Sequence, residues 1–302
     1  MCHAAKVHPY LYFMTYGEFQ QAFFQRLIAA NIPEVEVRAL WARWTEAHAG
    51  GRLQYAMQDS TSPLPEASKA LTTLQRLEDH EPWAHILGHI EFAGIEIGMD
   101  RRALIPRPET EEVLAEALRY LPQNGQLLDW CTGSGCIALA AKHSRPDVQV
   151  EGWDYSQEAL SLAKENALRT GLQVDWQQMN LEEEPRGRSA YLDVLVSNPP
   201  YIHPNEKALM DKSVTEYEPP MALYSPAEDS LHFYRQLASW AAYQIKPGGF
   251  FVAEIHPDYA LDLLAIFHVR HGWVSSGVAR DFCGKQRILT AQWAKLRPIF
   301  EE

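Results

Sequence analysis

The chain has 302 residues, 46% apolar and 22% charged, enough for one large domain or two unequal ones and unlike a disordered sequence. A formal net charge of −12 argues against a protein that holds nucleic acid by neutralising phosphates, and suits a basic protein partner. No apolar run approaches the roughly 20 residues of a membrane span, and the amino end lacks a basic-then-apolar leader, so no membrane partner and a cytoplasmic location are expected.

In chain order, residues 15–85 read as helical. Phe19, Phe23, Phe24, Leu27 and Ile28 recur at the spacing of an amphipathic helix, which Asn31-Ile32-Pro33 ends. Val35, Val37, Leu40, Trp41 and Trp44 predict a second helix up to Gly50-Gly51, and Leu71, Leu74 and Leu77 a third before Pro82. These stripes describe a small helical core; a docking surface for a protein partner is the functional alternative. Ile90-Glu91-Phe92 and Ile95-Glu96-Ile97 alternate on either side of Ala93-Gly94, the pattern of a β-hairpin. Ile105-Pro106-Arg107-Pro108-Glu109-Thr110-Glu111 then reads as a linker entering a helix, with acids in the first turn where the helix dipole favours them. The domains expected are a helical 1–88, a hairpin linker 89–108 and an α/β domain 109–302.

Beyond the linker, strand and helix patterns alternate. Strands are predicted at 126–130, 148–153, 174–178, 192–197 and 250–255, and helices at 137–143, 157–170, 230–245 and 261–268. Short crossovers of this kind build a parallel, doubly wound sheet. Two last strands, 274–278 and 287–293, leave no room for a helix between them and must pair antiparallel. Cys2, Cys131, Cys136 and Cys283 form no Cys-x-x-Cys pair, and His203, His232 and His256 have no metal-ligand spacing. Reduced thiols and no metal site are expected.

Two loops carry chemistry. Leu127 to Trp130 runs into Cys131-Thr132-Gly133-Ser134-Gly135, a glycine loop between strand and helix that allows positive φ and close backbone approach. It lacks the third glycine of a dinucleotide fingerprint and a Walker lysine. Asp154, 21 residues after Gly133, ends the next strand, where an acid accepts hydrogen bonds from ribose hydroxyls. Asn180 and Leu181 follow the third strand, suited to an exocyclic amine and a ring face. These positions describe an adenosine without a phosphate site, which S-adenosylmethionine fits better than NAD. The second loop, Asn198-Pro199-Pro200-Tyr201, ends the strand 192–197. Its prolines stop the strand and remove two donors while leaving both carbonyl acceptors. Such a loop is suited to gripping a planar –NH2 group: acceptors take its hydrogens and the Tyr201 ring stacks on its face.

With Ile105 to Glu111, Leu128 to Gly135, Ser197 to Tyr201, Glu216-Tyr217-Glu218-Pro219, Gly248-Gly249, Glu254-Ile255 and Asp281 to Arg287, the chain resembles the HemK-type protein-glutamine N5-methyltransferases, above all their release-factor branch. The resemblance spans most of the chain. It implies a class I methyltransferase fold, a seven-stranded sheet preceded by a small helical domain that helps to hold the protein substrate. It also implies a substrate, the glutamine of the Gly-Gly-Gln loop of a peptide-chain release factor. Residues Cys131 to Gly135, Asp154, Asn180, Leu181 and Asn198 would meet S-adenosylmethionine, and Asn198 to Tyr201 the glutamine amide. Arg107 and Glu111 would order the substrate pocket or pair with each other, and Glu218 and Pro219 would shape a cover over the site. Cys131 departs from the glycine usual in the family, Asn180 from a common aspartate, Leu181 from an aromatic residue, and His256 from a glycine after the acid. Alternatives are a ribosomal-protein glutamine methyltransferase, a nucleic-acid adenine N6-methyltransferase and an inactive cofactor-binding scaffold. No direct contact with nucleic acid is expected.

Overall fold

The structure is a computed structural model that describes residues 14–294; Cys2 lies outside them. It forms two compact units that divide between Leu87 and Gly88. The first carries α1 (Tyr16–Ala29), α2 (Glu34–Ala49), α3 (Arg52–Ala56), α4 (Ala67–Glu78) and α5 (Trp83–Leu87). Thr15 and Glu18 close a reciprocal capping box at the start of α1. Phe19, Phe23, Leu27, Leu40, Trp41, Trp44, Leu74 and Leu77 form its core. Ile28 and Val35, expected on the apolar stripes, are exposed at the helix edges. The short α3 and α5 carry too few turns to show a period, and sequence reading did not anticipate them.

The second unit opens with a hairpin, β1 (His89–Phe92) and β2 (Ile95–Gly98). Buried Asn166 holds it: Asn166 Oδ1 accepts the Gly98 N–H, while Nδ2 donates to the carbonyls of Gly98 and Ser134. The segments that follow are α6 (Pro108–Tyr120), β3 (Gln126–Trp130), α7 (Cys136–Ser144), β4 (Gln149–Asp154), α8 (Gln157–Thr170), β5 (Asp175–Gln178) and β6 (Leu192–Ser197). Three short helical turns come next, Pro204–Leu209, α9 (Lys212–Thr215) and α10 (Pro220–Leu223). The chain then runs through α11 (His232–Gln244), β7 (Ile245–Glu254), α12 (Ala260–Ile266), β8 (Trp273–Arg280) and β9 (Gln286–Trp293).

The seven-stranded sheet has the order β5-β4-β3-β6-β7-β9-β8. All neighbours are parallel except β9, which is antiparallel to both β7 and β8. This is the doubly wound α/β fold expected. The order reverses between β3 and β6, so the carboxyl ends of these two strands flank the crevice where such sheets bind ligands. One difference concerns β7, which starts at Ile245 rather than 250 and takes in Lys246-Pro247-Gly248-Gly249. Pairing with β6 is irregular between Leu192 and Val194, as a proline and two glycines in a strand require. No described helix is long and apolar enough to cross a membrane.

Candidate active site

A cavity of about 460 Å³ opens at the carboxyl ends of β3, β4 and β6. That volume is within the range of small-molecule sites. On one side lies the glycine loop. Gly133 and Gly135 have φ of 57° and 81°, and a Cβ on Gly135 would stand 2.7 Å from the Trp176 ring. Cys131 also lies in the left-handed region, at φ 62°, which explains why glycine suits the position in the resembling family. Beneath the loop, fully buried Asp129 accepts from Thr132 Oγ1 (2.5 Å) and the Ala138 N–H (3.2 Å) through Oδ2. Among the described residues its Oδ1 has no hydrogen-bond partner, and burial pushes its pKa up to about 7. Burial likewise raises the Cys131 and Cys136 thiols far above their ordinary range, which keeps them protonated.

Asp154, at the end of β4, braces the loop: Oδ2 accepts the Gly133 N–H and Oδ1 the Ser156 N–H, both at 2.9 Å. Burial raises its pKa, against the pull of the Gly133, Ser156 and Tyr155 N–H groups. Asn180 Oδ1 accepts the Glu182 N–H in a local turn. Leu181 is buried, and its carbonyl accepts from Trp240 Nε1. Trp240 meets Trp130 and Trp153 edge to face, at centroid distances of 5.6 and 5.8 Å, a rigid apolar floor under the site.

Across the cavity stands Asn198, at the end of β6. Its Nδ2 donates to Thr110 Oγ1 at 3.4 Å. Thr110 Oγ1 donates to Glu254 Oε2 (2.7 Å), and the Tyr201 hydroxyl donates to Glu254 Oε1 (2.8 Å). Arg287 Nη1 reaches the Tyr201 hydroxyl at 3.4 Å, and its Nε reaches Asp281 at 3.3 Å. Burial raises the Glu254 pKa, opposed by the Thr110 and Tyr201 hydroxyls and Arg287 and reinforced by Glu109. At the cavity mouth, buried Glu218 accepts the Ile105 N–H (3.0 Å) and Arg107 Nη2 (2.6 Å), and Arg101 lies over the Tyr217 ring. These contacts tie the segment before α6 to the one before α10.

Of the residues singled out by sequence, Cys131, Thr132, Gly133, Ser134, Asp154, Asn180, Leu181, Asn198 and Pro200 line the cavity, with Pro219 beside them. Gly135, Pro199, Tyr201, Arg107 and Glu111 do not. Tyr201, expected to stack on a substrate amide, has its hydroxyl on Glu254 and its ring outside the lining, because a half-buried phenol needs a hydrogen-bond partner. The Arg107–Glu111 pair is corrected: Arg107 pairs with Glu218, and Glu111 is exposed. Sequence reading passed over Thr110, one residue from Glu111, and the roles of Glu254 and Arg287. The signal for Glu254 was an acid closing the apolar run Phe250 to Ala253.

The residues fit S-adenosylmethionine on two counts. A Cβ on Gly133 would meet only the Ala103 side chain, at 3.9 Å, and both residues line the cavity, so the loop leaves room for a ligand. The wall also combines a carboxylate, Asp154, with the apolar Ile137, Ala159 and Leu181, an acceptor for ribose hydroxyls beside an apolar surface for an adenine.

The model of the methyltransferase small domain family matches residues 109–216. The release factor glutamine methyltransferase of Bacteroides thetaiotaomicron is 37% identical over 72% of this chain and 77% of its own. That of Deinococcus radiodurans is 35% identical over 89% of this chain and 95% of its own. A solved release-factor-specific protein-(glutamine-N5) methyltransferase from Alicyclobacillus acidocaldarius is 25% identical, covering 63% of this chain and 95% of its own, with a TM-score of 0.39. Sheet order, glycine loop and family model together define a class I S-adenosylmethionine-dependent methyltransferase. Within that class, identity at this level over more than two thirds of the chain places it in the release factor glutamine methyltransferase family.

Proposed function

We propose that this chain methylates the side-chain amide nitrogen (N5) of the glutamine in the Gly-Gly-Gln loop of a peptide-chain release factor. The observation that carries the reading is Asn198 at the cavity wall, its Nδ2 turned to Thr110 and its Oδ1 left as an acceptor. S-adenosylmethionine, when bound, supplies an electrophilic methyl group. Cys131 to Ser134, Asp154, Asn180 and Leu181 hold it, with Gly135 shaping the loop behind them; Asp154, already bracing the loop amides, accepts from the ribose hydroxyls.

An amide nitrogen is a poor nucleophile because its lone pair is delocalised into the carbonyl. Asn198 Oδ1 and the Pro199 carbonyl accept its two N–H groups and aim the nitrogen. Positioning of this kind is worth about 7–11 kcal/mol at most, and the same acceptors stabilise positive charge as it develops on nitrogen. Pro199 and Pro200 have no backbone N–H to compete for the acceptors. The spare proton leaves late, to water, so no strong base is required. Arg107 and Glu218 hold the mouth in shape. The helical unit, residues 16–87, grips the release factor, and the negative charge of the chain suits a basic partner in the cytoplasm.

Transfer of labelled methyl to a release factor tests the reading, with the factor's Gln→Ala loop variant and ribosomal proteins as comparisons. Label is expected on the unaltered factor alone. Label on the Gln→Ala variant, or on ribosomal proteins only, would overturn it.

A further inference from the structure

We propose that Glu254, acting through Thr110, is a positioning residue that fixes which end of the Asn198 side-chain amide faces the substrate. The inference rests on the functional reading above, in which Asn198 must present oxygen to a substrate N–H.

An asparagine amide has nearly the same shape turned either way, and only its hydrogen-bond network decides its orientation. Turned over, Asn198 would aim Nδ2 at the substrate –NH2, donor against donor. The deciding neighbour is Thr110 Oγ1. A hydroxyl has one proton to give and two lone pairs to accept with. Thr110 gives its proton to Glu254 Oε2 at 2.7 Å. It can therefore only accept from Asn198, so Nδ2 is the end that faces it and Oδ1 stays toward the cavity.

Glu254 orients the other end of the same loop as well. Its second oxygen takes the Tyr201 proton at 2.8 Å, and its own carbonyl accepts from the Tyr234 hydroxyl at 2.8 Å. Glu254 is 2% exposed, and a buried carboxylate is costly unless hydrogen-bonded. Here each oxygen accepts from a hydroxyl, one that contacts Asn198 and one on the tyrosine three residues along.

The arrangement has a proton switch. Thr110, Tyr201, Tyr234 and Arg287 face Glu254; Glu109 lies near enough to raise its pKa, and His256 stands beside Tyr201 with ring centroids 6.1 Å apart. Protonated, Glu254 becomes a donor to Thr110. The Thr110 proton is then free for Asn198 Oδ1, and the amide can turn.

The test uses Thr110→Val, Thr110→Ser and Glu254→Gln in the full chain, with two readouts. The first is methyl transfer to a release factor, with S-adenosylmethionine affinity measured by calorimetry. Thr110→Val is expected to lower kcat on the order of 10- to 100-fold, with cofactor Kd within about threefold, whereas Glu254→Gln keeps an acceptor oxygen for Thr110 and is expected to lose less. Thr110→Ser, which keeps the hydroxyl, recovers most of the Thr110→Val loss. An acid limb is expected in the kcat profile of the unaltered protein and is expected to be absent in Glu254→Gln, which cannot be protonated there. The second readout needs no turnover: exchange of the Asn198 side-chain Nδ2 protons, followed by NMR. Their protection is expected to fall roughly tenfold in Thr110→Val and to be kept in Thr110→Ser. Unchanged protection, or a cofactor affinity that falls in step with kcat, overturns the inference. Normal protection in the unaltered protein with no release-factor methylation would instead overturn the functional reading and leave the amide device standing. Should Glu254→Gln fail to fold, the contrast between Thr110→Val and Thr110→Ser decides.

Discussion

The two sides of the cavity are built differently. The side proposed to hold the cofactor is backbone and apolar wall: the Cys131 to Ser134 stretch of the glycine loop, one carboxylate at Asp154, and Leu181 over a tryptophan floor. The acceptor side is a chain of buried side-chain hydrogen bonds from Asn198 through Thr110 and Glu254 to Tyr201 and Arg287. A wall of backbone amides and apolar groups binds a whole ligand. A side-chain network fixes the direction of a single polar atom, which is what an unreactive amide needs.

Substitutions on the two sides should therefore fail in different ways. The largest effect is expected on the acceptor side. Asn198→Ala should lower kcat on the order of 10²- to 10³-fold while S-adenosylmethionine Kd changes by no more than about threefold; an equal loss of both, measured by methyl transfer and calorimetry, would break the distinction.

The next prediction concerns the buried charge on the cofactor side. Burial raises Asp129 from an ordinary 3.8 to about 7, so the folded state binds more protons than the unfolded one between those values. Its contribution to stability is complete below pH 3.8 and is lost as pH rises through about 7. Asp129→Asn removes the titration, and should flatten Tm against pH across that window and stabilise by roughly 2–4 kcal/mol at pH 8. An unchanged slope would assign the pH dependence to other groups.

Gly135→Ala sets a Cβ 2.7 Å from the Trp176 ring at a φ of 81°. It should cost about 1–3 kcal/mol in denaturant titration and weaken cofactor binding, with kcat at saturating cofactor nearly kept. A fall in kcat instead would mean that the loop also directs the acceptor. The smallest effect is expected at Cys131. Replacement by glycine relieves a left-handed cysteine but gives the unfolded chain more freedom, for a net gain of no more than about 1 kcal/mol.

How much of this was legible in the sequence follows the same division. The strands 126–130 and 192–197 and the helix 157–170 were readable to the residue, because apolar runs and a closing glycine mark them. That the glycine loop and Asp154 share one cavity was legible because they sit at fixed spacing within one strand–helix–strand unit. The start of β7 was misplaced because Pro247, Gly248 and Gly249 read as a turn and only pairing with β6 draws them into the sheet. The short turns between Pro204 and Leu223 show no apolar period.

The sequence by itself determined the doubly wound sheet and the two loops at the carboxyl ends of its strands. Local pattern suffices there, because chain order and strand spacing dictate which loops meet at the switch point. Only the tertiary structure decided that Arg107 pairs with Glu218 rather than Glu111, and that Thr110 and Tyr201 converge on Glu254. Glu254 lies 144 residues from Thr110, and no spacing rule links them. They meet because α6 packs on the sheet beside β6 and β7, where a buried carboxylate must find its donors among whatever the fold brings near.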